Sequence, residues 1–225
     1  MTSLDDQFDV FSNTLRLLAE QVVGLSYFLR KIKKPEEGIS NIEAAFNNVL
    51  SSLYGLMCAL KNAGACSSLY EYEAISTLLC IRHVLQHQPG RVRNNLRDSW
   101  AKRVHPDAGL LRFPVLADRL PAQPFYIHIG WICDGIAASN NAKQRPSLAA
   151  FWNLERIRAE AEKAGFSLQV SYVCAMSLVQ EAARTVVSNY SAHLKAYGED
   201  SEVYLKHFGD VAPVDPYRFA ITAQN

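Results

Sequence analysis

Arg82, His83 and His87 stand close together in the run Ile81-Arg82-His83-Val84-Leu85-Gln86-His87. A guanidinium presents N–H donors in a planar fork that matches two oxygens of a phosphate. An imidazole titrates near neutrality, so it can take up or give back a proton at physiological pH. Together they are a group that can hold an anion and a group that can move a proton. Arg82 follows Leu78 and Leu79 by four and three residues, so it emerges from an apolar helix stripe. A charge in that position needs a partner or a function. Pro89-Gly90 ends the helix directly afterwards, which puts His87 near an open end.

Other readings of these residues compete. Arg82 could pair with Glu43, Glu71 or Glu73 inside a helical bundle, and histidines are electrostatically favoured at a helix C-terminus. His83 and His87 are four apart, which is a metal-ligand spacing on a helix. HExxH is absent, however, since position 84 is Val, and a third ligand would have to come from His128, His193 or His207. The sequence therefore assigns no metal and no cofactor. Cys133 and His128, five residues apart on a segment read as a strand, would lie on opposite faces and make a poor nucleophile–base pair.

Downstream of the motif the chain is locally basic. Arg82, Arg91, Arg93, Arg97, Lys102 and Arg103 stand against Asp98 alone between 82 and 103, in a chain whose formal net charge is +1. Arg91, Arg93, Arg97, Lys102 and Arg103 are the candidate contacts to an RNA backbone. Trp100 could stack on a base, and a solvated helix face is the ordinary alternative.

The elements that must hold this motif are mostly helical. Leu4, Phe8, Phe11, Leu15, Leu18, Val22, Leu25, Leu29 and Ile32 alternate by four and three, predicting one amphipathic helix over about 4–34, stopped by Pro35. Ile39, Ile42, Phe46, Val49, Leu53, Leu56 and Leu60 repeat the pattern over about 38–63. With Pro-Glu-Glu-Gly as the link, the two make a helical hairpin. Ser68 and Glu71 have capping-box spacing, predicting a third helix over about 68–88, and a shorter helix is expected over 93–103. Tyr70 and Tyr72 read as packing residues.

Five of the nine prolines fall between 106 and 146. Within that stretch Phe125, Ile127, Ile129 and Trp131 alternate with other residues, predicting a strand, with 112–117 as a hairpin partner. A last long helix is expected over 167–197, and an extended tail over 209–225. The expectation is a single domain over 1–225. It is mainly α and four-helix-bundle-like, with a Pro-rich insertion at about 104–146 containing a short β-hairpin or strand.

An Arg, a polar residue and a His a few positions later, at the end of a bundle helix, resembles the signature of HEPN domains, over about residues 1–100. That resemblance implies a metal-independent endoribonuclease of the kind found in toxin–antitoxin and phage-defence systems. It implies that Arg82 binds phosphate, that His87 is the general acid/base, and that His83 fills the polar slot. It also implies a homodimer with the motifs facing each other, and leaves room for an antitoxin or other protein partner. A non-catalytic helical module for dimerisation or partner binding is the alternative.

Composition bounds these readings. The chain has 225 residues, 49% hydrophobic and 20% charged, which is globular and long enough to bury a core without staples. Its five cysteines form no CxxC pair and sit in apolar runs. No apolar run approaches the roughly 20 residues of a membrane span, and the acidic start lacks a signal-peptide pattern. A cytoplasmic, membrane-free setting is expected.

Overall fold

A computed structural model of the chain describes residues 3–87, 125–138, 144–163, 165, 171–213 and 221–223. The helix expected over 93–103, the strand expected over 112–117 and the basic residues Arg91, Arg93, Arg97, Lys102 and Arg103 lie outside them.

Helix α1 spans Leu4–Tyr27. Ser3 caps it reciprocally with Asp6: the Asp6 N–H donates to Ser3 Oγ at 3.1 Å, and the Ser3 N–H donates to Asp6 Oδ2 at 2.9 Å. These bonds hold the Asp6 carboxyl below its usual range. The helix does not run regularly to 34. Phe28–Ile32 form a π-helical turn, and Lys33 is left-handed at φ 59°. The wider turn shifts the phase of the apolar seam. Phe8, Phe11, Leu15, Leu18 and Val22 are buried, whereas Ile32 is exposed.

Helix α2 spans Pro35–Asn62, so the Pro-Glu-Glu-Gly segment is its first turn rather than a link. Proline suits that position because its missing N–H would be unpaired there anyway. All seven seam residues from Ile39 to Leu60 are buried. The two helices come close where α2 carries Gly38: a Cβ there would lie 2.9 Å from Leu25 Cδ1 and from Phe28 Cβ.

Helix α3 spans Glu73–His87. It starts five residues later than the capping-box spacing implied, because Ser68 Oγ instead accepts the Tyr70 N–H at 3.2 Å within a turn. Every residue from Ala74 to Ile81 is buried. Strand β1 is short, Tyr126–His128, and passes directly into helix α4, Ile129–Ala138. Helices α5 (Gln144–Trp152) and α6 (Leu154–Lys163) follow. Strand β2, Ser171–Cys174, again passes directly into a helix, α7, Ala175–Tyr190. Helix α8 spans Glu199–Asp210, and strand β3 spans Ile221–Ala223.

Two expectations are thereby corrected. The strand expected over 125–132 stops at His128, because the following residues coil. Among the described residues it pairs with β2, antiparallel with Tyr126 opposite Cys174 and His128 opposite Tyr172, and β3 pairs on the other side of β2; the pairing expected with 112–117 lies outside them. The helix expected over 167–197 begins at Ala175 and ends at Tyr190, followed by a 3₁₀ turn over Ser191–His193.

Helix α3 is the central element, lying against α2, α4, α5 and α7. Gly135 of α4 permits the closest approach, since a Cβ there would meet the Cys80 carbonyl carbon and Cβ at 2.9 Å. Buried Thr77 donates to the Glu73 carbonyl at 2.8 Å and accepts the Trp152 indole N–H at 2.9 Å, which joins α3 to α5. The chain is mainly helical, and among the described residues no helix is long and apolar enough to cross a membrane.

Candidate functional site

Arg82 lies in the next-to-last turn of α3, between buried Ile81 and Val84, and is itself half-buried. Helix periodicity turns its side chain toward α2, where the guanidinium carbon sits 4.2 Å from the centroid of the Tyr54 ring. That is close stacking of a cation on an aromatic face. Arg82 Nε is buried and has no hydrogen-bond partner. An orphaned charged donor is costly unless something else repays it.

The carboxylates considered as partners are engaged elsewhere or are not paired with Arg82. Glu71 accepts from the Tyr190 hydroxyl at 3.4 Å, and Glu73 accepts from Ser147 Oγ at 2.9 Å. Among the described residues no carboxylate forms an ion pair with Arg82; Arg16, Arg156 and Arg184 carry the pairs to Asp200 and Glu20, Glu160 and Glu181. Among the described residues, then, a half-buried guanidinium stands beside an aromatic ring and no carboxylate.

The surroundings are phenols and thiols. Interaction with Cys58, one turn along α2, pushes the Tyr54 phenol up, with burial adding to it and Arg82 opposing it. Burial pushes the Tyr70 phenol up as well, again opposed by Arg82. Both tyrosines thus stay protonated hydrogen-bond donors at neutral pH. Tyr54 and Cys58 were missed in the sequence, since within a heptad seam a Tyr and a Cys read as packing. Tyr70 was read only as packing.

His83 follows Arg82 on α3 and is exposed. His87 is the last residue of the helix, four positions after His83. The other residues considered for chemistry separate. His128 ends β1, where its Nδ1 accepts the Gly130 N–H at 2.9 Å and its ring packs edge-on against Tyr172. Cys133 lies on α4, not on the strand, and burial pushes its thiol up, away from thiolate character. Among the described residues no three His, Cys, Asp or Glu side chains converge as metal ligands.

The chain matches no protein-family model, no curated protein and no solved structure.

Proposed function

We propose that the C-terminal turns of α3 bind an RNA phosphodiester and that the chain is a metal-independent endoribonuclease of the HEPN type. The observation that supports this is Arg82: a half-buried guanidinium laid against a tyrosine ring, with no carboxylate partner among the described residues, one residue from an exposed imidazole. A cation held without a counter-charge is suited to an anion that arrives from solution.

In this reading Arg82 holds the non-bridging oxygens of a phosphodiester. His87 takes the proton from the 2′-OH as that oxygen attacks phosphorus. The bond to the 5′-oxygen breaks, and the leaving oxygen is protonated by a histidine, with His83 assisting. The products are a 2′,3′-cyclic phosphate and a 5′-hydroxyl, so atoms and charge balance without an oxidant or a metal. The basic residues Arg91, Arg93, Arg97, Lys102 and Arg103 follow the backbone of the RNA, and a second copy of the chain completes the groove.

The second reading, a non-catalytic helical module, draws on the same stacked pair, because an Arg laid on a Tyr ring also staples α3 to α2. The deciding experiment is RNA cleavage in EDTA by the wild type, His87→Ala and Arg82→Ala. The ribonuclease reading expects cleavage that EDTA spares and that His87→Ala lowers by about 10²–10⁴-fold, with thermal stability unchanged in that variant. A folded sample that cleaves no single-stranded RNA, or cleavage indifferent to His87→Ala, refutes it in favour of the module.

A further inference from the structure

An arginine is usually held in place by a carboxylate, which occupies the N–H groups on its edge and cancels its charge. Arg82 is held differently. Its guanidinium carbon lies over the Tyr54 ring, 4.2 Å from the centroid, and attraction to the ring face ties up no N–H donor in a carboxylate pair. Nε is closed off by burial, so a ligand arriving from solution has to be met by the terminal nitrogens, whose place is set by the ring beneath. Tyr54 comes from α2, a separate helix that the core fixes through buried Leu53, Leu56 and Met57 on either side. The stacking partner is therefore rigidly mounted.

We propose that Tyr54 is a positioning residue of the phosphodiester site: its ring orients the Arg82 guanidinium so that the terminal nitrogens meet the phosphate of a single-stranded RNA. This rests on the reading of Arg82 given above. Tyr54 itself touches no reacting atom. Its hydroxyl is not required for the role, and its aromatic face is.

The test is the binding of a single-stranded RNA carrying 2′-O-methyl groups throughout, which cannot supply the attacking hydroxyl. Its dissociation constant is followed as a function of salt. Each phosphate contact on a single strand adds about 0.7 to the slope of log affinity against log salt. Arg82→Ala is expected to weaken binding and lower the slope by about that amount. Tyr54→Phe keeps the ring and should match the wild type. Tyr54→Leu should weaken binding about tenfold with the same loss of slope, and adding it to Arg82→Ala should change nothing more. Tyr54→Gln replaces the Leu variant if that one does not fold.

A general loss of structure would not reproduce this pattern, because it would spare neither the Phe variant's rescue nor the non-additivity. Wild-type affinity and slope in Tyr54→Leu, with both lost in Arg82→Ala, overturns the positioning role and leaves the phosphate site standing. Wild-type affinity and slope in Arg82→Ala, or no binding by the wild type, overturns the site and the role together.

Discussion

The bond between the Trp152 indole N–H and Thr77 Oγ1 gives a sharp test of how α3 is held. Thr77 is fully buried and Trp152 nearly so, and their bond measures 2.9 Å. Thr77→Val keeps the branched shape and removes the acceptor, which strands an indole donor where water cannot reach it. A buried donor left unpaired costs about 1–3 kcal/mol. Taking about 2 kcal/mol, and a shift of roughly 2–4 °C per kcal/mol for a chain of this size, the melting temperature should fall by about 4–8 °C. Thr77→Ser keeps the hydroxyl and loses only a buried methyl, so it should cost about 1 kcal/mol. Urea unfolding followed by circular dichroism measures both. The cycle with Trp152→Phe isolates the bond, and the double variant should be less destabilised than the sum by about 1–2 kcal/mol. A Thr77→Val protein within about 0.5 kcal/mol of wild type, or a coupling of zero, refutes the docking of α5 on α3 by this bond.

Gly135→Ala should cost about 1–3 kcal/mol in the same unfolding assay, because the added Cβ meets Cys80 at 2.9–3.0 Å, largely on its backbone. Cys80→Ala should not rescue it, since the clashing atoms all remain. Tyr190 is buried, and burial with the nearby Glu71 carboxylate pushes its phenol well above the ordinary value. In the unfolded chain that phenol ionises near pH 10, while the folded chain keeps its proton. Stability is therefore full below about pH 10 and falls as pH rises through the folded value. Tyr190→Phe should be slightly less stable at pH 7, having lost the bond to Glu71, and should lose less on going to alkaline pH. An alkaline profile identical to wild type would contradict this.

How legible these features were depends on what each signal competes with. The two helices of the α1–α2 hairpin are plain in the sequence because a 3.5-residue apolar seam sustained over that length marks an amphipathic helix packed along one face. The stretch over 125–132 misled because Ile127, Ile129, Trp131 and Ile132 are all buried. A run buried on all sides carries no period, so strand and helix look alike. β2 was hidden for a related reason: Cys174 to Ala175 has no Gly or Pro between strand and helix. Arg82 could be singled out because it interrupts an apolar stripe. Tyr54 could not, since its importance lies in facing a residue 28 positions away, and spacing within one helix says nothing about what a second helix lays against it.

The contacts between α1 and the chain just before and within α8 set a condition on how the protein comes into being. Arg16 reaches Asp200 at 2.8 Å, Asp9 accepts the N–H groups of Tyr197 and Gly198, and Asp5 accepts that of Lys195. Each joins positions 184–190 residues apart. At ribosomal rates of about 5–20 residues per second, α1 waits some 10–40 s for these partners. During that interval the first helical hairpin has made its own seam while its acidic face has no mate. Contacts this distant in sequence raise contact order and slow folding from the full-length unfolded chain. The same bonds make α8 the clasp that closes α1, so this contact can form only after residue 200 has been made.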